Sequence, residues 1–179
     1  MPDDSPSTFS PQSRAPSPQS PAVWLATGLG LGRLTPAPGT VGTALLGLPL
    51  AWAIAQLPNI GWQIPVILAL IAIGVPLTTA AGRALGGHKD NQTIIWDEIV
   101  TLPIVFLAVP LTNWKIALAG FLLHRLFDII KPPPAAQLEH LPDGLGVMAD
   151  DCMAAIYACA ALAGLAWINQ SLGWRLLST

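Results

Sequence analysis

The sequence predicts an all-α protein, a compact multi-helix bundle embedded in a membrane, with about five main helices. Three observations lead there. Only 10% of the 179 residues are charged while 53% are apolar, and the mean hydropathy is +0.57; soluble domains usually carry about 25% charged residues. The apolar residues run in long segments separated by proline and glycine clusters. The titratable residues gather in three polar stretches between those segments: GGHKDNQTIIWDE (86–98), HRLFDIIKP (124–132) and DGLGVMADD (143–151). A soluble all-α bundle with a very apolar core is the alternative architecture. With 10 acidic and 8 basic residues, the chain offers no basic surface for nucleic acid.

In chain order, residues 1–21 are rich in proline, serine and glutamine, the composition of a disordered leader. They lack the basic start and apolar core of a signal peptide. Residues 22–179 form a single helical domain, a length suited to one compact unit. Residues 22–31 read as a short helix or re-entrant piece at the surface. Next comes GLGRLTPAPGTVGT (30–43), whose glycines and prolines argue for a shaped loop. Thr40 or Thr43 could cap the helix that follows.

The first main helix is expected over 41–57 and the second over 62–81, after a Pro58-Asn59 turn and with a kink at Pro76. The third runs over 97–109 and the fourth over 114–130, ended by Pro132-Pro133-Pro134. The last spans 147–170. The third and fourth are short for a hydrocarbon layer about 30 Å thick. Cys152 and Cys159 lie seven apart in one helix, a poor disulfide geometry, and read as packing residues.

If each main helix reverses direction, Arg14, Arg33, Arg83, Lys89, Arg125 and Lys131 fall at one end, and only Lys115 and Arg175 at the other. The excess of basic loops places the first end in the cytoplasm. The same folding gathers Asp97, Glu98, Asp128, Asp150 and Asp151 there. Asp97 and Glu98 also suit a helix start, and Asp128, one turn after Arg125, also suits a structural ion pair. Converging carboxylates repel one another unless they take up protons or hold a cation. Mg²⁺ prefers such oxygen ligands and commonly joins them to phosphate. Arg125, Lys131 and Lys89 would supply positive charge to a phosphoryl group, and the amides around Gly39, Thr40 and Gly42 a further anion site. The P-loop, HEXXH and GXSXG patterns are absent from the sequence.

With GLGRLTPAPGTVGTALLGLPL (30–50), IIWDE (94–98), RLFDIIKP (125–132) and GLGVMADD (144–151) in this order, the chain resembles the bacterial phosphatidylglycerophosphatase A family. The resemblance implies a Mg²⁺-dependent phosphatase of the bacterial inner membrane. Such an enzyme removes the terminal phosphate of phosphatidylglycerophosphate to give phosphatidylglycerol. It maps the family's acidic residues onto Asp97, Glu98, Asp128, Asp150 and Asp151, its basic ones onto Arg125 and Lys131, and its proline-glycine-threonine motif onto Pro38, Gly39 and Thr40.

On this reading Asp97, Asp128 and Asp150 or Asp151 hold Mg²⁺, and Arg125 stabilises phosphoryl oxygens. Glu98 orients the attacking water, and the glycine loop positions the headgroup; an aspartyl nucleophile is the other route. Three positions depart from the family pattern: Thr101 in place of a glycine, Pro142-Asp143-Gly144 in place of histidine-glycine-glycine, and the uninterrupted Pro132-Pro133-Pro134. Asp143 would bear on metal binding or headgroup fit. Competing readings are a phosphatase of another lipid phosphate, and a non-catalytic membrane transporter or scaffold.

Overall fold

The structure, a computed structural model, describes residues 19–86, 91–173 and 177. The expected leader therefore lies almost wholly outside the described residues, as do His88, Lys89, Asp90, Arg14 and Arg175. Helix α1 spans Pro21–Ala26 and α2 Leu31–Leu34. Helix α3 runs over Pro38–Ala55, α4 over Ile60–Ala84 and α5 over Trp96–Val105. Helix α6 spans Trp114–Ile130, α7 Ala135–Leu138 and α8 Asp143–Ser171. All five expected main helices are present, but the described residues form eight, because three short helices of four to six residues fill the connections.

The starts and stops follow local chemistry. Ser20 caps α1, its hydroxyl accepting the Val23 N–H at 3.4 Å, with Pro21 at the first helical position. Helix α1 thus begins one residue inside the expected leader. It lies at the surface as expected, with Trp24 and Leu25 exposed, while its inner face is buried: Val23 and Ala26 pack against Ala81 and Ile94.

The glycine-rich stretch is a loop only in part, because helix α3 already begins at Pro38. Neither Thr40 nor Thr43 caps it; the residue before the helix is Ala37. One turn of α3, Thr43–Gly47, widens to a π-turn in which Leu48 N–H donates to the Thr43 carbonyl. Such turns re-aim side chains. Here the Thr43 hydroxyl points across to α5.

Helix α5 stops at Val105 rather than 109. Phe106 and Leu107 donate to carbonyls only three residues back, and Pro110 disfavours helical geometry at the residue before it. Asn113 caps α6, its side-chain oxygen accepting from Lys115 and Ile116 N–H at 2.9 and 3.1 Å. Lys131 ends α6 in the left-handed region, with Pro132 barring continuation. Helix α8 begins four residues earlier than expected. Gly144 packs directly on α4 and its N–H donates to Thr79 Oγ1 at 2.9 Å, a contact that a side chain at 144 would block.

Helix α5 forms the centre, with Ile99, Val100, Thr101, Leu102 and Val105 buried; α3, α4 and α8 pack around it, and α6 packs mainly on α8. Leu102, Val105 and Phe106 join Ala155, Ala158 and Leu162 of α8 in the main core. Outside this core the polarity does not rise as it would in water: Leu68, Ile73, Leu118 and Ile156 are exposed. Three helices, Pro38–Ala55, Ile60–Ala84 and Asp143–Ser171, have the length and apolar composition to cross a membrane. Helices α5 and α6 are shorter. Cys152 and Cys159 are unbonded.

Candidate active site

Five elements meet at one end of the bundle: the start of α3, the start of α5, the end of α6, the α7 segment and the first turns of α8. Between them lies a cleft of about 530 Å³. Gly39, Thr40, Asp97, Glu98, Arg125, Asp128, Lys131, Asp150 and Asp151 all line it. These nine expected residues are therefore brought together; Gly42 and Asp143 do not line the cleft, and Lys89 lies outside the described residues.

The groups form two linked clusters. In the first, Arg125 Nη1 contacts Glu98 Oε2 and reaches Asp128 Oδ2 at 2.9 Å. Thr43 Oγ1 donates to the same Glu98 oxygen at 2.7 Å. The backbone of α3 presses on this carboxylate, since a Cβ built at Gly39 would stand 2.7 Å from Glu98 Cδ and closer still to Oε1. Glycine at 39 is thus a requirement of close approach. In the second cluster, Lys131 Nζ bonds Asp150 Oδ2 at 2.7 Å and Glu139 Oε2 at 3.1 Å. The other Asp150 oxygen accepts the Asp151 N–H at 3.0 Å.

Between the clusters lie Asp97 and Asp151, 8% and 4% exposed. Asp97 Oδ1 and Asp151 Oδ2 are buried without a hydrogen-bond partner. Leaving a buried polar atom unmatched costs about 1–3 kcal/mol, more when charged, so these oxygens await something. Among the described residues no set of three or more histidine, cysteine or acidic side chains is already closed around a metal position.

Electrostatics follow burial. Burial pushes the Asp97 carboxyl well above the usual carboxylate range; Glu98, Asp150 and Asp128 add to the rise, partly offset by a bond from the Glu98 amide. Glu98 is also raised, first by burial, although Arg125 and the Thr43 hydroxyl pull it down. Burial disfavours the Lys131 ammonium, but Asp150 and Glu139 outweigh it and hold the amine above its ordinary value.

Helix α3 adds anion-binding capacity. Val41 N–H bonds the Ala37 carbonyl and Pro38 has no N–H, so the amides of Gly39 and Thr40 are the ones left facing the cleft end of the helix.

Two site residues escaped the sequence reading. Glu139 is a single acid in a proline-rich linker, and only its position after Lys131 hinted at pairing. Thr43, like Thr40, suits a helix cap in the sequence, and only the π-turn reveals its contact with Glu98. Asp143 is not among the residues lining the cleft. It pairs with Arg83 at 3.0 Å, both half-exposed. Thr101 is fully buried and donates to the Asp97 carbonyl at 2.8 Å, so it sits behind the cleft.

The family model for phosphatidylglycerophosphatase A matches residues 24–166. The chain belongs to this family. A Haemophilus influenzae phosphatidylglycerophosphatase A is 40% identical over 142 residues, covering 78% of this chain and 85% of the relative. The Escherichia coli phosphatidylglycerophosphatase A is 33% identical over 141 residues, 77% of this chain and 79% of its own. A Bacteroides thetaiotaomicron protein, provisionally named a phosphatidylinositol-3-phosphatase, is 31% identical over 152 residues, 82% of this chain and 94% of its own. No solved structure matches. Membership makes this a lipid-phosphatase fold, and the matched span of the family includes every described residue of the cleft.

Proposed function

We propose that the chain hydrolyses phosphatidylglycerophosphate to phosphatidylglycerol and phosphate at the bacterial inner membrane, with Mg²⁺ as cofactor and the cleft facing the cytoplasm. The observation that carries this reading is the pair of buried, unpartnered oxygens on Asp97 and Asp151. They lie in a cleft that also holds two cations and a helix start. Such a donor set fits a hard divalent ion, with Asp128 and Asp150 as further oxygen ligands. Bound there, Mg²⁺ supplies positive charge to the phosphoryl oxygens.

The chain's own groups do the rest. Arg125 and Lys131, with the Gly39 and Thr40 amides, receive the terminal phosphate and balance the charge that spreads over its oxygens during transfer. Glu98 is held by Thr43 and Arg125, and its raised proton affinity suits a base that takes the proton from the attacking water. The new P–O bond forms as the ester P–O bond breaks, and the glycerol oxygen leaves and gains a proton. The acyl chains stay in the bilayer beside the bundle.

Asp128→Asn tests the assignment. Phosphate release from the lipid should fall about 100-fold, and wild-type kcat with unchanged Mg²⁺ dependence would remove Asp128 from the site. A second reading, hydrolysis of another lipid phosphate, draws support from the name of the Bacteroides relative. Comparing phosphatidylglycerophosphate, phosphatidate and phosphatidylinositol 3-phosphate separates the two. Phosphate transport into liposomes without hydrolysis would favour a transporter, a reading that the gathering of charge at one end of the bundle already disfavours.

A further inference from the structure

The Lys131 ammonium stands between two carboxylates in unlike surroundings. It bonds Asp150, whose side chain is 7% exposed, at 2.7 Å, and Glu139, whose side chain is 42% exposed, at 3.1 Å. Glu139 lines the cleft with them. Neither the phosphate-binding role of Lys131 nor the ligand role of Asp150 makes use of it.

The backbone carrying all three groups is fixed to helix α8. Asp150 belongs to that helix. Lys131 ends α6, and two residues later the Pro133 carbonyl accepts the Tyr157 hydroxyl of α8 at 2.8 Å. Ala135 is fully buried. The Glu139 carbonyl rests on Gly146, where an added Cβ would stand 2.7 Å from its oxygen. Gly146 is one turn before Asp150, on the same side of α8. The segment 131–139 is therefore pinned at both ends, and the side chains are what is left to move. Lysine suits this, with three donors on a flexible four-carbon stem.

A divalent cation changes the balance at Asp150. Both of its oxygens are engaged, Oδ1 by the Asp151 N–H and Oδ2 by Lys131, whereas Asp97 Oδ1 and Asp151 Oδ2 have no partner. The ammonium thus supplies, at one oxygen of the ligand set, positive charge that the ion would otherwise bring. Ammonium and ion repel at that range. Moving Lys131 off Asp150 with no other anion in reach would leave a part-buried charge unpaired, which is costly. Glu139 is an anion already within reach of the same Nζ.

We propose that Glu139 is a positioning residue that takes over Lys131 when a divalent cation binds Asp150. The ammonium then leaves the cation's ligand yet stays at the cleft, where it meets the phosphoryl oxygens. This rests on the divalent-ion reading of the cleft and adds to it the group that makes room for the ion.

The test is Mn²⁺ binding to the detergent-solubilised protein, read by electron paramagnetic resonance with no substrate present. Four proteins are compared: unmodified, Glu139→Gln, Lys131→Gln and the double variant. Without the Glu139 charge Lys131 stays on Asp150, so Glu139→Gln should weaken Mn²⁺ binding roughly tenfold. Lys131→Gln should bind at least as tightly as the unmodified protein, because its amide can donate to Asp150 but carries no charge. In that background Glu139→Gln should cost no more than about twofold, since Glu139 acts through Lys131. Glu139→Ala gives the same reading if the glutamine variant fails to fold. Unchanged affinity in Glu139→Gln would overturn the proposal. So would an equal loss with and without Lys131, which would make Glu139 a plain negative charge beside the ion. Absence of Mn²⁺ binding by the unmodified protein would instead refute the divalent-ion reading, and this proposal with it.

Discussion

Replacing Gly39 by alanine perturbs the site through one methyl group. Its Cβ would enter the space of the Glu98 carboxylate, 2.7 Å from Cδ, against a side chain held by Thr43 and Arg125. The carboxylate must move by an ångström or more, weakening two hydrogen bonds to a charged group worth about 1.5–3 kcal/mol each. Alanine's advantage over glycine in a helix returns at most about 1 kcal/mol. The net expectation is a loss of about 2 kcal/mol of stability and, because angstrom-scale misplacement of a reacting group costs about 100-fold, a comparable fall in phosphate release.

Thermal unfolding in detergent and a phosphate assay measure both. Gly164→Ala is the control, since nothing lies within 4 Å of its added Cβ, and it should stabilise by up to about 1 kcal/mol. In a Glu98→Ala background the cost of Gly39→Ala should vanish, because the two positions act through one contact. A Gly39→Ala protein with wild-type kcat and an unchanged or raised Tm would refute the reasoning.

Two further outcomes follow from the site. The Asp97 and Glu98 carboxyls bind protons more tightly in the folded chain than when unfolded, so their contribution to stability is full below the ordinary carboxylate range and is lost as pH rises through their raised folded values. The Tm of metal-free protein should therefore fall as pH rises from about 4 toward neutrality, and added Mg²⁺ should restore more of it at the higher pH; a flat Tm profile contradicts this. Asp143→Asn removes only a half-exposed pair with Arg83, so unfolding and phosphate assays should register no more than about 0.5 kcal/mol and an unchanged kcat.

The long helices were legible because the punctuation is strong: Pro58-Asn59, Pro110 and the three prolines from Pro132 mark ends that no apolar run can cross. The site was legible because Asp97, Glu98, Asp128, Lys131, Asp150 and Asp151 all fall near helix ends, and antiparallel packing brings alternate ends together. Helices α1, α2 and α7 are too short to show a period, which explains the undercount. The Thr43 contact depends on a π-turn with no sequence signature, and the role of Gly39 depends on the approach of a side chain 59 positions away. Asp143 misled for the opposite reason: its neighbours in the chain belong to the site, but helix α8 turns it toward Arg83.

The central claim is that Asp97 and Asp151 leave oxygens free for a divalent cation. Binding of Mn²⁺, followed by electron paramagnetic resonance on the detergent-solubilised protein, tests it without any substrate. The account predicts saturable binding that Mg²⁺ displaces and that Asp97→Asn or Asp151→Asn weakens at least tenfold. Equal binding by the unmodified protein and both variants, or none by the unmodified protein, would contradict it.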